Sequence, residues 1–182
     1  MYENYPWLRR RAGAGALLAL FLLAALALPL WLLRGNDHPL AGAESLDLCD
    51  RLSGLTPELD LEPRTAQPSG MAGVCQWLGP DQQVRFEASL TTTRNVSPQR
   101  VGDVFGNWRN EVKATGSEEF SEEGEEGERR LHYRRGRNRE QLIEDHGVLI
   151  WLRGLDYGGA EFDRLGRSAQ ARLRLPEEQA AN

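Results

Sequence analysis

Gln83-Val-Arg-Phe-Glu-Ala-Ser-Leu-Thr-Thr-Thr93 decides how this chain folds. Val84, Phe86, Ala88 and Leu90 alternate with Arg85, Glu87, Ser89 and Thr91. A period of two sends successive side chains to opposite faces of an extended chain, so the stretch reads as a strand with one apolar and one wet face. Just before it, Val74-Cys75-Gln76-Trp77-Leu78 is a second apolar run, and Gly79-Pro80-Asp81 supplies the turn between them. The two runs predict an antiparallel hairpin.

After the hairpin the period changes. Ser97 suits an N-cap and Pro98 the first helical position. Val101, Val104, Phe105, Trp108 and Val112 then fall on one helical stripe, and Gly116 is placed to end it. The stripe is expected to pack on Phe86, Leu90, Leu149 and Trp151. Glu118–Glu128 holds seven Glu and two Gly in eleven residues. It lacks the spacing of a calcium loop and reads as a mobile acidic connection. Six Arg follow between Arg129 and Arg139, enclosing a second hairpin: Arg130–Arg134, a turn at Gly136-Arg137-Asn138, and Glu140–Asp145. His146-Gly147 turns once more into Val148-Leu149-Ile150-Trp151-Leu152, an apolar run suited to a central strand. Phe162, Leu165, Ala169 and Leu173 have helical spacing, while alternation from Ala169 to Leu175 fits a strand equally well. The expected class is α+β: a small antiparallel sheet of about five strands packed on one long helix.

Upstream of the first hairpin, Ser45 can cap a short helix carrying Leu46, Cys49 and Leu52 and ending at Gly54. Pro57, Pro63 and Pro68 then mark residues 56–69 as an irregular loop. Cys49 and Cys75 are the only cysteines, too far apart for a Cys-x-x-Cys redox pair. They are expected to form a disulfide, which in the chain-entropy model stabilises the fold by about 3.5 kcal/mol. A Cys-bearing helix, a proline-rich gap and Cys75-Gln76-Trp77 opening a hairpin resemble small exported lipoproteins of actinobacteria. The resemblance covers residues 46 to 92. It implies the bridge and an α+β fold, and no activity. The lipidated cysteine of that family is absent.

Ala12–Leu33 stands in its place: 22 uncharged residues, ten Leu and seven Ala among them. As a helix the run spans roughly 33 Å, enough to cross a hydrocarbon core of about 30 Å. Arg9, Arg10 and Arg11 precede it and only Arg34 follows closely. Basic residues stay on the cytoplasmic side, so the tail is expected inside and the domain outside, in a bacterial inner membrane. A cleaved signal peptide has a shorter apolar region of about 7–15 residues, and Ala41-Gly42-Ala43 lies well beyond Leu33 for its cleavage site. The expected organisation is a cytoplasmic tail (1–11), a transmembrane helix (12–33), a linker (34–45), a periplasmic or extracellular domain (46–176) and a disordered tail (177–182).

The whole chain carries −5. Residues 1–34 contribute four Arg and one Glu, which leaves −8 beyond them. That balance disfavours nucleic acid as a partner, since phosphate needs a basic face. No phosphate loop, zinc-protease helix or nucleophile elbow occurs in the sequence. Asp145-His146 falls at an expected turn where both would face solvent, and Ser121 and Ser168 lack a nucleophile's flanking pattern. The expectation is therefore no enzyme, no catalytic residues, no metal and no cofactor. The bilayer, through 12–33, and another envelope protein are the expected partners. The exported domain would act as a protein-interaction or scaffolding module. The alternatives are a ligand- or stress-sensing domain, or a small hydrolase built around His132 or His146.

Overall fold

A computed structural model of the protein describes residues 38–66, 70–95 and 98–175. The tail 1–11, the apolar run 12–33, the cap Ser97 and the tail 177–182 lie outside them. No helix among the described residues is long and apolar enough to cross a membrane.

Seven strands form one antiparallel sheet: β1 (Glu62–Ala66), β2 (Gly73–Leu78), β3 (Val84–Thr92), β4 (Glu118–Glu125), β5 (Glu128–Arg135), β6 (Asn138–Asp145) and β7 (Val148–Leu155). Their order is β1-β2-β3-β7-β6-β5-β4. Both expected hairpins are present, and β3 pairs with β7 so that Leu90 faces Ile150 and Phe86 faces Gly154. Four α-helices occur among the described residues: α1 (Leu48–Arg51), α2 (Thr56–Leu59), α3 (Pro98–Ala114) and α4 (Gly159–Arg174).

Two strands more than the expected five come from the edges. Glu62–Ala66, inside the expected proline-rich loop, pairs with β2, with Thr65 opposite Cys75. Pro63 is tolerated because an edge strand leaves one side of its backbone unpaired. The acidic stretch is β4 and its turn, not a mobile connection. Arg residues of β5 and β6 and the helix α3 hold its carboxylates: Glu122 meets Arg109 and Lys113, Glu123 meets Arg130, and Glu119 meets Arg134 and Arg139. Each exposed pair contributes only about 0–1 kcal/mol. Together they offset the like-charge repulsion that makes such a run look unstructured.

The helices lie on both faces of the sheet, and this corrects the expectation of one helix on one core. The α3 stripe packs on Leu131, Tyr133, Leu142, Leu149 and Trp151. Phe86 and Leu90 belong to the opposite layer, under α1 and α4, with Trp77, Ile143, Ile150, Leu152, Phe162, Leu165 and Leu173. β7 is apolar on both faces because Val148, Ile150 and Leu152 serve one layer and Leu149 and Trp151 the other. The ambiguous C-terminal segment is the helix α4, whose Phe162, Leu165, Ala169 and Leu173 are buried. Phe86 sits at the centre of its layer, 5.4 Å edge-on to Trp77 and 5.9 Å from Phe162.

Cys49 and Cys75 are bonded, their Cα atoms 4.9 Å apart, which ties α1 to β2. The α1 cap is Asp47 rather than Ser45. The compact unit begins at His38, so most of the expected linker 34–45 is part of the fold. The His38 N–H donates to the His146 carbonyl, Thr93 Oγ1 to the Ala41 carbonyl, Thr92 Oγ1 to the Ala43 carbonyl, and the Leu46 N–H to the Ala72 carbonyl.

Candidate functional site

Asp145 ends β6 with no exposure at all. The sequence placed it on an exposed turn. It is buried because α4 and the segment before α1 close over the strand end. The turn is made by His146 and Gly147, with φ of 44° and 93°. His146 thus takes a backbone conformation that side chains seldom adopt, and one anchoring contact is its N–H bond to the Gly127 carbonyl. Gln170 and Arg174, one turn apart on α4, project onto the same point. Arg174 donates to both Asp145 oxygens at 2.6 and 2.8 Å, Gln170 to Oδ2 at 2.9 Å, and His146 Nδ1 to Oδ1 at 3.1 Å. Burial pushes the Asp145 carboxyl up, but the bonds from Arg174, Gln170 and His146 outweigh it and hold it at about 2.

Glu128, Asp145 and His146 each offer a donor atom, all within 4.8 Å of one another. Such a set suits a divalent cation. Here the Arg174 guanidinium stands among these groups, 2.6 Å from Glu128 Oε1 and 2.6 Å from Asp145 Oδ1, and supplies the positive charge. The cluster is an internal ion-pair network. His38, on the chain before α1, completes it: its Nε2 is 3.9 Å from Asp145 Oδ2.

A second polar corner lies further along the same face. His132 of β5 faces Ser121 of β4 across the ladder. Asp163 of α4 bonds His132 Nδ1 at 3.0 Å and receives Gln141 Nε2 at 2.9 Å. A cavity of about 200 Å3 is bordered by Ser121, His132, Arg139, Gly159 and Asp163. No sequence pattern announces this corner, because its members come from β4, β5, β6 and α4. His132 Nε2 points toward Glu123, 3.5 Å from its carboxylate. Ser168 lies half-buried on α4; His132 stands opposite Gln141 in the β5–β6 ladder, while His146 lies in the turn beyond the end of β6.

On the other face, Tyr133 donates to Glu140 Oε2 at 2.6 Å, Trp151 Nε1 donates to the same oxygen at 3.1 Å, and Trp108 Nε1 donates to the Tyr133 hydroxyl at 2.7 Å. Burial, then the Glu140 carboxylate, pushes the Tyr133 hydroxyl upward, so it stays protonated. The network satisfies a buried carboxylate and fixes how α3 sits on the sheet.

No family model matches the chain, and neither a curated protein nor a solved structure is similar enough to indicate a relationship. The resemblance of residues 46–92 to exported lipoproteins therefore rests on Cys49, Cys75 and Trp77 alone.

Proposed function

We propose that the chain is a single-pass envelope protein, held in the inner membrane by residues 12–33 with its N-terminus in the cytoplasm. Its exported domain works by binding another envelope protein. The Cys49–Cys75 bond supports an oxidising compartment. The contact reading is carried by β4. Among the described residues no strand pairs with its outer edge, so the backbone groups of an eight-residue strand are available to a partner. An extended segment adding there would form ladder hydrogen bonds, and the exposed Glu125 and Glu126 at the strand end favour one that carries Arg or Lys.

A photo-crosslinking residue at Glu125, tested in living cells, should trap a protein through a basic segment. Raising the salt in isolated membranes should reduce the yield, and the same probe at Arg64 on the opposite edge should trap nothing. Equal trapping from both edges, or none from β4, overturns the proposal.

A small hydrolase is the second reading, favoured by one observation: Ser121, His132 and Asp163 border one cavity with His132 held by Asp163. Ester hydrolysis by the purified chain, lost together in Ser121→Ala and His132→Ala, would give this reading precedence.

A further inference from the structure

His38 is wholly buried, its side chain 0% exposed. Its Nδ1 accepts the Leu40 backbone N–H at 3.1 Å, which leaves the proton of the neutral ring on Nε2. That nitrogen has no hydrogen-bond partner and points at Asp145 from 3.9 Å. The groups facing the ring are Asp145 at the end of β6, His146 in the turn, Arg174 of α4 and Arg51 of α1. The one carboxylate among them is already bonded to Arg174, Gln170 and His146.

A second proton on this ring must go to Nδ1. There it meets the Leu40 N–H, so two donors face each other and the bond that fixes the ring is lost. The new cation would also lie buried near two guanidinium groups. The segment it holds is short: beyond His38, it is docked by bonds from Thr92, Thr93, Asn95 and Leu46 and by the packing of Leu40, Ala41 and Leu46 on the core.

We propose that residues 38–46 are an acid-released strap: protonation of His38 undocks the segment from the end of the sheet and frees it as linker. Burial pushes the docked ring below its ordinary value, Asp145 pulls it up, and Arg174, His146 and Arg51 push it down; the net direction is down. The released ring therefore takes a proton at higher pH than the docked one. Docking is complete above the ordinary imidazole value of about 6.5 and is lost progressively below it, about tenfold in the released-to-docked ratio per pH unit. The release stands by itself. Its consequence rests on the anchored reading: release adds residues 38–46, at most roughly 31 Å of extended chain, to the tether between anchor and domain. Acid would then widen the radius within which the domain finds its partner.

The test uses the full chain in detergent micelles with its disulfide intact. A spin label is placed at Gly42→Cys, where a side chain meets nothing within 4 Å, and a control label at Ala171→Cys on α4. Between pH 7.5 and 5.0 the mobile fraction at 42 should rise with a one-proton slope while the label at 171 stays unchanged. His38→Gln should abolish the rise, and His146→Gln should keep it. No transition, a transition that survives His38→Gln, or one that vanishes in His146→Gln overturns the proposal. Should His38→Gln leave the strap mobile at every pH, ring-nitrogen NMR of the otherwise unaltered chain decides. The His38 titration must coincide with the mobility change, and separate midpoints overturn the proposal. Carbonate extraction of membranes tests the anchor separately, so its failure and the strap's failure are distinct.

Discussion

Asp145 shows how one buried carboxylate ties three segments together: the end of β6, the last turn of α4 and the chain before α1. Its folded value of about 2 lies below the ordinary 3.8, so its contribution is fully present above pH 3.8 and is lost as pH falls through about 2. The difference corresponds to about 2 kcal/mol. Removing Arg174 leaves the carboxylate buried with only Gln170 and His146. Arg174→Ala should therefore cost about 3 kcal/mol in denaturant unfolding at pH 7, and should move the acid loss of stability to higher pH. A cost below about 0.5 kcal/mol, the range of ordinary surface changes, would show that the guanidinium is dispensable. Gly166 makes a sharper case. Replacing glycine by alanine inside a helix ordinarily stabilises by about 0.5–1 kcal/mol. Here the added methyl would stand 2.0 Å from Gln141 Oε1, on a side chain with no exposure. Gly166→Ala should reverse the usual sign and lower the melting temperature by displacing the amide that holds Asp163. A raised melting temperature would mean that Gln141 can move aside without loss.

The helices α3 and α4 serve separate layers. Phe105 of α3 is fully buried against the β5-β6-β7 face, and Phe162 of α4 lies on the other side of the sheet beside Phe86. Each, truncated to Ala, should cost about 3–5 kcal/mol. Since they share no partner, the double variant should equal the sum of the singles within about 0.5 kcal/mol. Strong coupling, measured by the same unfolding curves, would contradict two independent layers. The helical spacing of the α3 stripe and the alternation in β3 were legible, because a period of 3.6 or 2 survives in the sequence wherever one face is buried. The α4 stripe was not decided, because alternation from Ala169 to Leu175 matched a strand equally well. The strand nature of β1 and β4 was not legible. Edge strands need no apolar alternation, and Glu-rich composition reports the solvent the side chains meet rather than the ladder their backbone joins.

For the whole molecule, the arginines around residues 12–33 make a claim about topology. A periplasm-active reporter fused after Asn182 should be active and a cytoplasm-active one silent. The reverse would remove the compartment on which the disulfide argument stands.

Local information was sufficient for the α+β class, the two hairpins, the helix after Pro98 and the Cys49–Cys75 pair. Each depends on residues within one period or one turn of each other, or on the absence of any other thiol. The tertiary structure alone decided which layer each stripe enters, since alternation names two faces and not what covers them. It also decided that β3 pairs with β7, that Asp145 is buried and that His38 belongs to the fold. These outcomes join residues up to about a hundred positions apart, and the free energy that selects them comes from burial shared between segments, which no single window of sequence contains.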